Sequence, residues 1–175
     1  DDTGATPLMY AALYAGADCV KLLLDHDAVP NATNKAGASA LMWGVRDLAI
    51  VRTLLEHGAE VDARSTRGNT ALNIAAYYPD SQRVVEALLK KGAEVRTENS
   101  NGMTPLIAAA TGGDVQTLKL LIARGANVNF RPATSQGLAR RNALENAVAF
   151  GHLACVRVLL ENGAIYNASS NLPRE

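Results

Sequence analysis

One short phrase recurs along the chain and constrains its fold more than any other feature. Two apolar residues, two polar residues, a turn residue and an alanine follow one another, as in LLEHGA at 54–59. The turn residues of successive copies are 31, 34, 33 and 38 residues apart, at Asp27, Gly58, Gly92, Gly125 and Gly163. Self-similarity at a period of ~20 to 50 residues indicates a repeat architecture. The sequence therefore predicts an array of short units that pack against their neighbours.

A second phrase precedes the first in each unit, as in GMTPL at 102–106. Together the two phrases predict a helical hairpin in each unit. In its clearest copy, Thr104-Pro105 predicts a helix start, because a threonine side chain caps a helix and proline suits its first position. Gly112-Gly113 breaks that helix, and apolar residues at helical spacing over 115–122 predict a longer second one. Gly125 is predicted to end it in a left-handed conformation. Turn-rich segments, which we call fingers, connect one unit to the next.

These phrases resemble the ankyrin repeat, which has a period of ~33 residues and the phrase Thr-Pro-Leu-His-x-Ala. The resemblance covers nearly the whole chain and implies an all-α fold, an ankyrin-repeat solenoid of helix-turn-helix units with β-hairpin fingers. It implies a single domain over 1–175 with five repeats, at approximately 1–33, 34–64, 65–98, 99–131 and 137–168, and an insertion at 132–136. The family's histidine is replaced by Met9, Met42, Asn73, Ile107 and Glu145. Its usual hydrogen bonds must therefore be absent or replaced.

Composition narrows the classes of function. Seventeen Lys and Arg residues balance seventeen Asp and Glu residues, whereas nucleic-acid binding needs clustered positive charge. No apolar run approaches the ~18 to 20 residues of a membrane helix. We therefore expect no nucleic-acid partner and no membrane insertion, and the compartment stays open. Both ends keep apolar residues where terminal repeats are normally polar, so we expect a longer parent chain whose neighbouring elements cover at least one end.

No constellation of residues points to catalysis or to a metal. Ser39 lies at the capping position of its unit rather than in a nucleophile elbow. His26 and His57 occupy the same position in neighbouring units, too far apart to share a metal ion, and Cys19 and Cys155 lie even further apart. We predict no catalytic residue, no metal site and no cofactor.

The expected function is non-enzymatic protein–protein interaction by a chain that is monomeric in isolation. The alternative is a regulatory or targeting domain attached to a catalytic domain of a longer chain. The resemblance implies that a partner binds in the concave groove at the ends of the first helices and at the finger tips. Candidate residues at the helix ends are Tyr14, Arg46, Asp47, Tyr77, Tyr78 and Phe150. Candidates on the fingers are Lys35, Arg64, Arg67, Met103, Arg131 and Arg141.

Residue types favour these positions, since Tyr and Arg are enriched in interface hot spots. We expect Tyr14, Tyr77, Tyr78 and Phe150 to be exposed, and Tyr10 and Trp43 to be partly buried in the core. The basic finger residues outnumber the acidic ones, which indicates a partner with an acidic surface. An ordinary solvated rim explains the same charges equally well.

Overall fold

The computed structural model describes residues 2–133 and 141–166. Within these ranges the chain forms ten α-helices, and a π-helical turn at Ala11–Ala15 directly extends the first. The helices are α1 (Pro7–Tyr10), α2 (Ala17–Asp25), α3 (Ala40–Trp43), α4 (Leu48–Glu56), α5 (Ala71–Tyr77), α6 (Gln82–Lys90), α7 (Pro105–Gly112), α8 (Val115–Ala123), α9 (Ala143–Ala149) and α10 (Leu153–Glu161). The predicted all-α class is confirmed.

Each odd-numbered helix begins at a side-chain cap, as the second phrase predicts. The capping oxygen accepts a hydrogen bond from the backbone N–H three residues later, which satisfies one of the unpaired donors at a helix start. The capping residues are Thr6, Ser39, Thr70, Thr104 and Asn142. Proline occupies the first turn of α1 and of α7. These caps fix where the first helix of each pair begins.

The even-numbered helices end at left-handed turns. At the end of α8, Gly125 has φ 86°, and Ala126 N donates to the carbonyl of Leu121 at 3.0 Å. This pairing is that of a Schellman cap. Asp27 occupies the same position after α2 with φ 63°, a conformation that Asp tolerates better than most residues with a Cβ. The prediction for Gly125 is confirmed.

The helices stack in two parallel rows. Every odd-numbered helix packs against the next odd-numbered helix, and every even-numbered helix packs against the next even-numbered one. Small side chains permit close approach in the first row, where Ala108, Ala109 and Ala110 of α7 are at most 1% exposed. Leucines fill the second row, among them Leu88, Leu121 and Leu159, each 0% exposed. One continuous core therefore runs along the stack.

The fingers are hydrogen-bonded to one another through the backbone. Lys35 N donates to the carbonyl of Thr3, and Thr66 N to that of Ala36, each at 2.9 Å. Among the described residues the β-pairing is limited to one isolated bridge between Thr33 and Ser39. Each finger is too short to extend a β-ladder beyond its turn. The described fingers are therefore turns, and the predicted β-hairpins do not form strands there. Most of the predicted insertion at 132–136 lies outside the described residues.

Candidate functional site

A cavity of about 260 Å³ lies between one finger and the helices α7 and α9. Its wall is mainly apolar. The lining residues are Asn101, Gly102, Met103, Ile107, Thr111, Arg141, Asn146 and Phe150. We call this cavity, together with the finger and first-helix surface around it, the groove.

The finger tip that forms one wall is held by its own hydrogen bonds. Asn99 Oδ1 accepts from the backbone N–H groups of Asn101 and Met103, each at 2.9 Å. Gly102 has φ 76°, which a residue with a Cβ rarely adopts. Behind the tip, the carbonyl of Met103 accepts from Asn73 Nδ2 at 3.1 Å. The backbone of Met103 is therefore held on both sides by hydrogen bonds within the protein.

Polar groups on the helical wall are engaged within the protein. The Thr111 hydroxyl donates to the carbonyl of Ile107 at 2.7 Å. Asn146 Nδ2 donates to the carbonyls of Arg141 and Asn142, at 3.2 and 3.1 Å. The wall therefore offers a ligand mainly apolar contact.

Positive charge lies at the edge of the cavity. Arg141 is the one charged residue among the described lining residues. Nearby, Glu145 accepts a hydrogen bond from Asn142 N at 2.9 Å and pairs with Arg131 Nη2 at 2.6 Å. Because Arg131 compensates the carboxylate of Glu145, the charge of Arg141 sets the sign of this edge.

The cavity brings together three of the residues that the sequence predicts as partner-binding, namely Met103, Arg141 and Phe150. Phe150 is 55% exposed, and its ring stacks on that of His152 with 6.3 Å between centroids. Arg131 lies close by in its ion pair with Glu145.

Five lining residues are not among the partner-binding candidates predicted from the sequence, namely Asn101, Gly102, Ile107, Thr111 and Asn146. Asn146 carried a usable signal, because it is a polar residue at a first-helix position where preceding units have Trp43, Ile74 and Ala108. Gly102 and Ile107 look like an ordinary turn glycine and an ordinary core residue. The position of the finger tip and the packing of α7 against α9 bring them to the cavity.

Other predicted aromatic residues form a separate cluster at α1 and α3. Tyr14 is 77% exposed and stacks on Tyr10 with 6.4 Å between centroids. Tyr10 in turn meets Trp43 edge to face at 5.8 Å. Trp43 is half-buried as predicted, but the prediction for Tyr10 was wrong, since it is 40% exposed. Met9 and the alanines beside it already fill the core at that point.

A third cluster lies at the end of α5. Tyr77 is 50% exposed, as predicted, and meets Tyr78 edge to face at 5.9 Å. Tyr78 is half-buried against the core, and the guanidinium carbon of Arg46 lies 5.1 Å from the centre of its ring. The expectation that Tyr78 is exposed was therefore wrong. The chain leaves the helix at this residue in an extended conformation, which brings the ring under Arg46.

The remaining residues that the sequence predicts as partner-binding lie on the surface, and two of them form hydrogen bonds with the backbone. Asp47 is exposed, yet its Oδ1 caps α4 by accepting from the N–H groups of Ala49 and Ile50, at 2.7 and 3.2 Å. The guanidinium of Arg64 donates to the carbonyl of Glu98. Lys35 and Arg67 are exposed at neighbouring finger tips.

Titratable side chains away from the groove contact other groups of the protein. His57 Nδ1 lies 2.7 Å from the carbonyl of Thr53. A hydrogen bond from Lys21 Nζ at 2.6 Å is the main reason that the pKa of Asp25 is below its ordinary value. Burial and the negative charge of Asp114 raise the pKa of the Cys155 thiol.

Within the described ranges, no three His, Cys, Asp or Glu side chains come together as metal ligands would. Nor does any helix there combine the length and apolar character that crossing a membrane requires.

The family model described as Ankyrin repeats (3 copies) matches residues 1–65 and 72–170. The chain belongs to the ankyrin-repeat family. Members of this family are in general protein-interaction modules, and the chain shares their fold and their repeated phrases.

Curated relatives match almost the whole chain. An ankyrin repeat protein of Acanthamoeba polyphaga mimivirus is 28% identical over 174 residues, or 98% of the chain and 22% of the relative. Ankyrin repeat domain-containing protein SAT10 of Stachybotrys chartarum is 32% identical over 173 residues, or 97% and 8%. The B-cell lymphoma 3 protein homolog of Mus musculus is 31% identical over 165 residues, or 91% and 36%. The chain thus spans well under half the length of each relative.

As an ankyrin-repeat protein, the chain departs from the family phrase at the histidine of the first helix, and the structure shows what replaces it. Asn73 Oδ1 accepts from the hydroxyls of Thr70 and Thr97, at 2.8 and 3.1 Å, while its amide nitrogen binds the next finger. Met9, Met42 and Ile107 make apolar contacts in the core instead. Glu145 forms a capping box with Asn142. The hydrogen bonds are therefore replaced in some units and absent in others.

Proposed function

We propose that this ankyrin-repeat chain binds a protein partner in the groove, with the cavity beside Met103 and Phe150 as the anchoring point. The observation that carries the proposal is the cavity itself, a preformed apolar hollow of about 260 Å³ with a charged edge. Binding hot spots are typically apolar or aromatic groups seated in well-packed pockets. A partner side chain that enters this cavity would meet a wall that is already ordered.

Exposed aromatic rings support a contact that extends beyond the cavity. Tyr14, Tyr77 and Phe150 are 77%, 50% and 55% exposed, and each lies at or just after the end of a first helix or its π-helical extension. Aromatic side chains provide a large contact area at a small cost in conformational entropy. We propose that the partner crosses several units of the stack, and that five repeats with the predicted boundaries act together as a monomeric module.

The experiment that tests this proposal compares groove variants with matched variants elsewhere. A protein captured by the chain from a cell extract is identified, purified and titrated against the wild type, Phe150→Ala and Met103→Glu. Each groove variant should weaken binding by about tenfold or more, as loss of a hot-spot residue does. Leu153→Ala on α10, where the side chain is 71% exposed, and Lys119→Glu on α8 should leave the affinity unchanged. Wild-type affinity in both groove variants would move the binding surface elsewhere.

A further inference from the structure

We propose that the groove selects an extended partner segment in which one apolar side chain is flanked by acidic residues. This inference rests on the proposed function and specifies which side chains the partner presents to the groove. The apolar side chain would occupy the cavity, and the flanking carboxylates would meet Arg141 and the basic finger tips.

The size of the cavity favours a side chain over a free small molecule. Small-molecule sites usually enclose ~300 to 1,000 Å³ and place several polar groups to fix the ligand's orientation. This cavity has about 260 Å³, and the hydroxyl of Thr111 and the amide nitrogen of Asn146 already bind backbone carbonyls. A single large aliphatic or aromatic side chain requires neither a larger volume nor those polar groups.

The charge of the surroundings favours acidic flanks. Arg141 lines the cavity, and the nearby carboxylate of Glu145 is neutralised by Arg131 at 2.6 Å. An incoming carboxylate would thus meet an arginine without an uncompensated acid beside it, and arginine binds carboxylates in a directional, often bidentate way. A lysine-rich segment would be repelled at the same place.

Neighbouring finger tips extend this preference along the groove. Lys35 and Arg67 are exposed on two consecutive fingers, which are joined through the bond from Thr66 N to Ala36 O at 2.9 Å. Arg64 contributes less, because its guanidinium is engaged with the Glu98 carbonyl. The positive groups therefore line one side of the path that an extended segment would follow.

The test uses short fluorescein-labelled peptides and fluorescence anisotropy. One peptide carries a central Leu between Asp and Glu residues; one replaces the Leu by Ala; one replaces the acids by Lys; and one replaces them by Ser. The acidic Leu peptide should bind at least about tenfold more tightly than each of the others. Its affinity should also fall as salt is added, because exposed charges are screened.

Variants of the protein test the acidic flanks and the central apolar side chain separately. Arg141→Glu should reverse the order of the acidic and lysine peptides, whereas Phe150→Ala should weaken every Leu peptide by about tenfold. Arg157→Glu makes the same charge reversal at an exposed position of α10 and should change neither result. Circular dichroism confirms that each variant is folded.

The outcomes distinguish this inference from the function on which it rests. If the acidic Leu peptide binds no better than the Lys or Ala peptide, or binds Arg141→Glu as well as the wild type, the inference is overturned. The peptides could show no such preference while Phe150→Ala still weakens binding of the captured protein. In that case groove binding stands and only the inferred partner chemistry is wrong. If the captured protein also binds every groove variant normally, both are wrong.

Discussion

At the scale of single residues, Asn73 links three parts of the stack. It is 3% exposed, and it accepts from the hydroxyls of Thr70 and Thr97 while donating to the carbonyl of Met103. A buried polar group that loses its partner costs ~1 to 3 kcal/mol. We therefore expect Asn73→Leu to lower the free energy of unfolding by at least about 2 kcal/mol, measured by urea denaturation.

The control for this variant is Gln82→Leu, which removes an exposed hydrogen bond of 2.7 Å to Glu86. Surface changes of this kind usually stay within ~0.5 kcal/mol. If both variants lose the same small amount, the network around Asn73 contributes no special stability. The finger that holds Met103 would then owe its position to its own turn alone.

Single-residue features differ in how well the sequence predicts them. The caps at Ser39 and Thr104 and the left-handed Gly125 were predictable, because their chemistry involves backbone groups within a few residues. Exposure of Tyr10 and burial of Tyr78 were not. Each depends on a neighbouring unit, since Trp43 and Arg46 come from the helix pair beside them in space.

At the scale of elements, the separation of α5 and α7 depends on one glycine. A Cβ on Gly112 would overlap the carbonyl oxygen of Tyr77, so the two helices could not keep their distance. Overpacking in a tight contact typically costs ~1 to 3 kcal/mol. We expect Gly112→Ala to destabilise the protein by at least about 2 kcal/mol, measured as a lower denaturant midpoint.

Gly151→Ala provides the comparison. Gly151 has φ 72° and no heavy atom within 4 Å of an added Cβ, so its substitution carries the conformational cost of ~1 to 2 kcal/mol and no steric overlap. A loss at Gly112 no larger than that at Gly151 would show that α5 and α7 can separate freely.

The sequence predicted the paired helices better than the connections between them. Hydrophobic spacing and turn residues mark 105–112 and 115–123 almost to the residue. The π-helical turn Ala11–Ala15 has no counterpart in the predicted elements. The cavity was equally unpredictable, because it depends on the spacing of α7, α9 and the finger tip, which come from two different units.

At the scale of the whole molecule, the described part of the chain exposes apolar side chains on α9 and α10 where their counterparts in earlier units are buried. Six residues after the first-helix cap, each of the first four units has a buried apolar residue. The exposed fractions are 4% for Ala12, 3% for Val45, 0% for Ala76 and 0% for Ala110. At the same position Val148 is 53% exposed. In the even-numbered row Leu160 is 53% exposed, whereas its counterpart Leu55 is 7% exposed.

In repeat proteins each unit is stabilised by contact with its neighbours, and Val148 and Leu160 form an exposed apolar face on the last helix pair that the structure describes. Within the 175-residue chain, Val148→Glu should change the free energy of unfolding by less than about 0.5 kcal/mol. Ala110→Glu at the equivalent position should cost at least about 3 kcal/mol, because it buries an unpaired charge between α7 and α9. Chemical denaturation of both variants measures the difference. A large loss for Val148→Glu would show that the chain already covers this face by itself, and that the stack is closed at its last helix pair.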